Sequence, residues 1–309
     1  MKRMLLALLF LLLVLALGCG PSPSATVPPG EETPEATIEF KTPLPQPTEA
    51  RIVPTPTPVP PPPTPTPRPT PTPAPEATEG PAAPAVTDIM VEIPAGPFTM
   101  GNDAGAEDEA PAHEVDLSAF EMDQFEVTNA DFAQFVEATG HQTDAEKARL
   151  SRNWRDAAQG KDNHPVVYVS WNDATAYCKW VGKRLPTEAE WEKAARGTDG
   201  RIYPWGNEYD ASKLNGKDSG LRGTAAVGSF SSGASPYGAE DMAGNVWEWT
   251  ADWYEAYPGS SFQSPYYGGQ YRVLRGGAWF ETADFVRTTT RNATSDTAAN
   301  DDIGFRCAR

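Results

Sequence analysis

The chain has 309 residues and a net charge of −17, from 25 Lys and Arg against 42 Asp and Glu. Contacts to phosphate groups require clustered Lys and Arg, so this acidic balance argues against nucleic acid as a partner. Most of the 32 Pro lie in the first third of the chain, so only the remaining two-thirds can bury a core, and we expect one folded domain there.

The first residues have the layout of a secretory signal. Lys2 and Arg3 precede an apolar run over 4–17, which is shorter than the roughly 20 residues that a membrane-spanning helix needs. Residues 16–19 resemble the bacterial lipobox, with Ala where a larger aliphatic residue is usual. They predict a signal peptide over 1–18 and a lipid-modified Cys19, so that an exported protein is anchored to a membrane with its domain extracellular or periplasmic. The alternative is an ordinary signal with an incidental cysteine.

Residues 19–87 are dominated by Pro and Thr, and residues 54–75 consist largely of Thr-Pro repeats. Such a sequence cannot form a core and favours polyproline II, which extends by about 3.1 Å per residue. We therefore expect a disordered linker that serves as a stalk. A spacer without a specific length is the alternative, and it is physically close to the first interpretation.

Alternating apolar and polar residues predict strands at the start of the folded region, which we place at 88–309. Residues 89–93 and 98–101 flank Pro94, Ala95 and Gly96, and this arrangement predicts a β-hairpin. A second strand-like run follows over 115–127, with the alternation clearest at 120–123.

Three helices are predicted after these strands. The first begins after Thr128 and ends at Gly140, the second begins at Ser170 or Asn172, and the third spans 187–197. In each, a polar capping residue stands at the start, apolar residues recur at i, i+3 and i+4, and a glycine follows the end. The second helix places Cys178 on its apolar face, so this side chain should point inward.

Beyond residue 197 the chain is rich in Gly, Asn, Asp, Ser and Trp, with no run periodic enough for another helix. Loops must therefore form a large share of this half. All nine Trp lie between residues 154 and 279, and buried rings of this size can compensate for sparse regular structure. The alternative for a surface Trp is stacking on a sugar.

The chain has three cysteines. If Cys19 carries lipid, Cys178 and Cys307 remain, which is an even number in an oxidising compartment. A bridge between them would close a loop of about 130 residues and stabilise the fold by a few kcal/mol on chain-entropy estimates.

Eight segments of residues 88–309 together resemble the formylglycine-generating enzyme, or sulfatase-modifying factor, family. Examples are GKRLPTEAEWE at 182–192 and MAGNVWEW at 242–249. The others lie at 93–101, 127–129, 165–171, 203–207, 275–279 and 304–307. The resemblance implies a compact α+β fold related to C-type lectins, with little regular secondary structure. It also implies a disulfide between Cys178 and Cys307, in agreement with the cysteine count.

The resemblance further implies two calcium sites. The first set of ligands matches Asn215, Gly216, Asp218 and Leu221, and the second set matches Asp241, Gly244, Val246 and Glu248. Oxygen ligands that include two acids suit a hard cation such as Ca²⁺, so we expect structural calcium. The alternative is a pair of hydrogen-bonded loops without metal.

The family's catalytic signature is missing from this chain. Active members bind Cu(I) through two cysteines that follow a Gly-Gly-Ser segment, because thiolates are the soft ligands that this ion prefers. Here Ala278 replaces the serine, Glu281 and Val286 stand near the thiol positions, and no cysteine lies between Cys178 and Cys307. We therefore expect no copper centre and assign no catalytic residue.

Three functions remain open. The first is a monomeric, non-catalytic surface module, tethered to the membrane by its lipid and stalk, that binds an extracellular protein or glycan. The second is an enzyme, either a formylglycine-generating oxidase with an unfamiliar centre or a catalyst of other extracellular chemistry. The third is a structural or assembly lipoprotein of the cell envelope. Because similar folds host unrelated functions, the fold alone does not choose among them.

Overall fold

The computed structural model describes residues 88–309. The segments predicted to form the signal peptide, the lipidation site at Cys19 and the Pro-rich stalk lie outside the described residues. The helices are α1 Asn129–Thr139, α2 Asp144–Lys147, α3 Trp154–Ala157, α4 Trp171–Trp180 and α5 Glu188–Arg196. The strands are β1 Met90–Ile93, β2 Gly96–Met100, β3 His113–Leu117, β4 Phe120–Asp123, β5 Trp247–Trp253, β6 Arg272–Arg275, β7 Asn292–Thr294 and β8 Ile303–Gly304. Short strands and helices joined by long loops confirm the predicted α+β class with little regular structure.

The first four strands form a long antiparallel ribbon. β1 pairs with β4 and β2 pairs with β3, with Ile93 opposite Phe120 and Gly96 opposite Leu117. The prediction of a hairpin that turns at residues 94–96 was therefore wrong. The chain bends there, with Gly96 at φ +122°, but continues in the same direction and reverses only after β2. Local alternation identified the strands, whereas their pairing depends on a partner segment farther along the chain.

The three predicted helices are confirmed with their caps. Thr128 caps α1, whose C-terminal Gly140 has a left-handed φ. Ser170 and Thr187 cap α4 and α5, and each forms a capping box with an acidic residue three positions later. The two single-turn helices, α2 and α3, were not predicted because their apolar pattern is too short to show a period.

The second half of the domain contains a four-stranded sheet in the order β7-β6-β5-β8. β5 lies antiparallel to β6 and parallel to β8, so that Trp247 pairs with Ile303. The sheet packs its buried face against α1 and α4 in the main hydrophobic cluster, where Trp249 and Phe305 are fully buried. Within residues 88–309, no helix is long and apolar enough to cross a membrane.

The last residues of the chain add a further extended segment to the ribbon. Ala308 pairs with Met122, and the backbone amide of Arg309 donates to the carbonyl oxygen of Glu121 at 2.9 Å. β4 therefore has β1 along one edge and residues 307–309 along the other.

Cys178 of α4 and Cys307 form the disulfide that was predicted, and both are fully buried. It joins residues 129 positions apart in the chain. Four of the nine Trp rings, at positions 154, 191, 247 and 249, are buried in the core. The core interpretation of the Trp residues therefore holds for these four, while Trp253 is 37% exposed.

Buried ion pairs hold α5 against β6 and the loop that follows it. Arg275 is fully buried and donates to Glu192 at 2.6 Å and to Glu188 at 3.2 Å. Arg291 donates to Glu188 at 2.7 Å. Glu188 and Glu192 each accept a hydrogen bond from at least one guanidinium. The positive charge compensates the buried carboxylates, which would strongly destabilise the core if they were unpaired.

Candidate functional site

The two loops that were predicted to bind calcium lie against each other. The amide of Asn245 donates to the carbonyl oxygen of Asn215 at 2.8 Å, and Nδ2 of Asn215 donates to Oδ1 of Asn245 at 3.0 Å. A Cβ on Gly244 would collide with the backbone oxygen of Asn215, and Gly244 has φ +78°. Only glycine fits at this close approach, which explains why the sequence has Gly there.

In the first predicted set, hydrogen bonds from the chain itself occupy several of the oxygen atoms. Ser219 donates its hydroxyl to Oδ1 of Asn215 at 3.0 Å and its amide to the Gly216 carbonyl at 3.0 Å. Asp218 is exposed and accepts from the Tyr209 hydroxyl at 3.1 Å, while Leu221 is 47% exposed. Several oxygens of this set therefore accept hydrogen bonds from the chain itself, as in the alternative of hydrogen-bonded loops, and a calcium ion here stays a prediction.

In the second predicted set, the two carboxylates are buried. Glu248 is fully buried and accepts from Arg306 through both oxygens at 2.7 Å, and from the Trp191 indole at 2.9 Å. Asp241 accepts from the Gly228 amide at 2.7 Å. Burial raises the pKa of Asp241 to about 6, because the charged form loses its hydration. Val246 is fully buried beside them.

Two further acids that the sequence did not reveal belong to this cluster. Glu126 is 2% exposed, and its Oε2 has no hydrogen-bond partner among the described residues. Its pKa lies well above the usual value because of burial first, and then because of repulsion from Asp241 and Glu248. Glu240 also has an unpartnered buried oxygen. Residues 240, 241 and 248 are close in the sequence, but Glu126 joins them from more than a hundred residues away, so no local pattern could have identified it.

The surroundings of the second set, more than its own side chains, suit a hard cation. The acidic side chains at 126, 240, 241 and 248 are all attracted by one guanidinium, that of Arg306. One buried carboxylate oxygen of Glu126 and one of Glu240 accept no hydrogen bond from the described residues. Oxygen donors in an excess of negative charge are what Ca²⁺ prefers. Among residues 88–309, no three His, Cys, Asp or Glu side chains are arranged to bind a metal by themselves. This is compatible with the predicted set, which combines two acidic side chains with backbone carbonyls.

The positions of the missing thiols are occupied by side chains with other roles. Glu281 is partly buried, and its carboxylate accepts a hydrogen bond from the Trp247 side chain. Burial nevertheless raises the pKa of Glu281 above its usual value. Val286 is fully buried and packs with Tyr203, Leu214 and Ala243. A buried alkyl group and a carboxylate do not fit Cu(I), which needs soft ligands.

A cleft opens next to this segment. It has a volume of about 340 Å³, within the range of pockets that hold small ligands. Trp279, whose amide donates to the carbonyl of Asn245 at 3.0 Å, forms one wall. The other walls come from residues 222–224, from α3 with the loops on either side of it, and from Asn129 and Asp301.

The three histidines are not grouped. His141 binds Asp173 through Nε2 at 2.7 Å, His164 lies 3.0 Å from the Thr224 hydroxyl, and His113 lies 2.9 Å from the carbonyl of Pro111. Each ring has a separate local partner in the described part of the chain, so the histidines offer no shared centre for catalysis.

Comparisons with known proteins agree with this geometry. The family model described as sulfatase-modifying factor enzyme 1-like domain matches residues 76–309. The inactive C-alpha-formylglycine-generating enzyme 2 of Mus musculus is 39% identical over 272 residues, which cover 71% of this chain and 85% of that protein. The formylglycine-generating enzyme of Streptomyces coelicolor is 38% identical over 293 residues, covering 75% and 93%. PvdO from Pseudomonas aeruginosa superposes with a TM-score of 0.57 at 31% identity, covering 71% of this chain and 93% of that one.

Proposed function

The chain belongs to the sulfatase-modifying factor family, and from this membership we propose that it is a lipid-anchored surface protein whose domain binds an extracellular protein or glycan without catalysing oxidation. The signal-like N-terminus and Cys19 support export and anchoring. The Pro-rich segment then holds the domain away from the membrane. We propose that the domain acts as a monomer.

The replacement of both thiols is the observation that carries this proposal. Glu281 hydrogen-bonds to Trp247, and Val286 is sealed in an apolar cluster. Neither side chain can bind Cu(I), and no cysteine lies between Cys178 and Cys307 to substitute for them. A relative named as inactive, the mouse paralogue, supports a function of this fold without the oxidase reaction.

The rival proposal is an enzyme. Relatives named formylglycine-generating enzyme match 75% of this chain, and this supports the possibility of oxidase activity from another centre. The two proposals differ in one measurable product, formylglycine in a Cys-x-Pro-x-Arg peptide.

We predict that the full chain, incubated with this peptide, copper and oxygen, leaves the cysteine unchanged by mass spectrometry. An active family member in parallel provides the control. Formation of formylglycine above the level of a protein-free sample would contradict the binding proposal and favour the enzyme.

We further propose that the second oxygen set, Asp241, Gly244, Val246 and Glu248, holds a structural Ca²⁺, with Glu126 adding negative charge beside it. A ligand that binds only the folded state stabilises it by about 2.7 kcal/mol at one hundred times Kd. For a domain of this size, this corresponds to a rise in Tm of about 5–10 °C.

Calorimetry of the full chain should therefore show a lower Tm after chelation and recovery when Ca²⁺ is returned. Asp241→Asn should remove this response, whereas Asp116→Asn, at an exposed carboxylate in β3, should retain it. Equal responses in both variants would exclude calcium from this cluster.

A further inference from the structure

The cleft beside Trp279 has an unusual charge for this protein. Arg152, Lys161 and Arg222 line it together with two carboxylates, both of which attract Arg152. Nearly all of the chain's negative charge lies in the same domain, because residues 1–87 hold seven Glu against five Lys and Arg. Three cations against two carboxylates leave the cavity with a net positive charge in an acidic domain, and this favours an anionic ligand.

A buried acceptor on the cleft wall points to a ligand that also donates hydrogen bonds. Asn129 is 3% exposed, and its Nδ2 donates to the carbonyl of Lys161 at 2.9 Å. Its Oδ1 has no partner among the described residues, although it is buried. Buried polar atoms are nearly always paired, so this acceptor calls for a donor, which a bound water or a ligand hydroxyl group would supply.

The backbone of the cleft supplies a second signal. Tyr168, which lines the cavity, has φ +59°, a left-handed conformation that is uncommon for a bulky side chain. Its side chain hydrogen-bonds to Arg152. Backbone strain of this kind is concentrated at binding and catalytic sites, where it holds side chains in functional positions. Here it keeps an aromatic ring and a cation at the same wall.

The hydrogen-bonding groups favour a saccharide over an acidic peptide. Besides Asn129, the carboxylates of Asp156 and Asp301 line the cavity, and a carboxylate is able to accept hydrogen bonds from the hydroxyl groups of a ligand. A peptide rich in Asp or Glu would bring several charges close to these two acids. A sugar acid brings one carboxylate per ring, several hydroxyl donors and an apolar ring face for Trp279, which is half-buried at the wall.

We propose that this cleft binds an acidic saccharide, with its carboxylates at Arg152, Lys161 and Arg222, its hydroxyls at Asn129, and a ring against Trp279. This inference rests on the proposed binding function and names the ligand class. No covalent step is involved.

The test is isothermal titration calorimetry of the full chain with tetragalacturonate. We expect binding that weakens with added salt, and no comparable binding of maltotetraose, a neutral tetrasaccharide. The double variant Arg152→Ala/Arg222→Ala and the variant Trp279→Ala should each weaken binding by about tenfold or more. The matched controls are Arg149→Ala, an exposed arginine outside the cleft, and Trp253→Ala, an exposed ring on β5. Both should bind as the unmodified chain does, and circular dichroism checks the folding of every variant.

Three results would overturn the inference: absence of tetragalacturonate binding, equal binding of maltotetraose, or unchanged binding in the double variant. Binding of tetraglutamate that exceeds that of tetragalacturonate and disappears in the double variant would assign the cleft to acidic peptides instead. The peptide oxidation assay reads out the proposed function separately. A chain that neither oxidises the peptide nor binds the saccharide would lose this inference alone.

Discussion

Glu109 is a fully buried acid in the loop between β2 and β3. It accepts hydrogen bonds from Arg287 at 2.5 and 2.8 Å and from Thr289 at 2.6 Å. Burial alone would raise the pKa of Glu109, but these donors outweigh it and hold the pKa below its usual value. A lowered pKa in the folded state means that the ionised carboxylate stabilises the fold.

This stabilisation is present above the unfolded-state pKa of about 4.3 and is lost as the pH falls through the lower folded-state pKa. We predict that Glu109→Gln lowers the free energy of unfolding at neutral pH by about 3 kcal/mol, since Arg287 then lacks its buried partner. Urea unfolding at a series of pH values from about 7 down to about 3 should show a flatter pH dependence for the variant, because it lacks this ionisable group.

Glu121 provides a matched control, because it is an exposed glutamate that pairs with Arg309 at 2.7 Å. Glu121→Gln should change stability little, as surface ion pairs are screened by solvent. If both variants behaved alike, burial of the Glu109 carboxylate would have no energetic role.

At the scale of elements, α5 depends on the buried guanidinium of Arg275. We predict that Arg275→Met destabilises the protein by about 3–5 kcal/mol, because Glu192 and Glu188 then lose a compensating charge in the core. Denaturant unfolding measures the change. Arg155→Met is the control, since Arg155 pairs with Glu146 at the surface. A similar loss in both variants would mean that the buried network contributes nothing specific to α5.

The sequence predicted the helices well because their signals are local. For α5, Thr187 and Glu190 lie within one turn, and Gly197 marks the end. The strands β1 and β2 were also recognisable from alternation, but their pairing was not. The pairing is set by contacts with β3 and β4, whose paired residues lie 13 to 33 positions away, and the register is specified by burial across the whole ribbon.

The candidate site was predictable only in part. Motif resemblance pointed to Asp241 and Glu248, and the structure brings them into one buried cluster. Glu126 was missed because its surroundings come from segments more than a hundred residues away. Arg152 and Trp279 were missed as cleft residues for the same reason, since the cavity forms from loops that are distant in sequence.

At the scale of the whole molecule, the disulfide joins α4 to the C-terminal segment across 129 residues. We predict that the double variant Cys178→Ser/Cys307→Ser loses about 2–5 kcal/mol of stability, because the unfolded chain regains the freedom of a long open loop. Urea unfolding with and without dithiothreitol provides the measurement. The reductant should destabilise the unmodified chain but leave the double variant unaffected, and an effect on both would point away from this bridge.

β4 lies between β1 and residues 307–309. With strands spaced by about 4.8 Å, the two ends of the folded region emerge roughly 10 Å apart. A domain with adjoining ends can be circularly permuted: a short peptide can join the old ends, and new ones can open in an exposed loop. It can equally be inserted as a unit into a loop of a host protein. Because β4 pairs with both terminal segments of the folded region, the domain can be permuted or inserted without separating them.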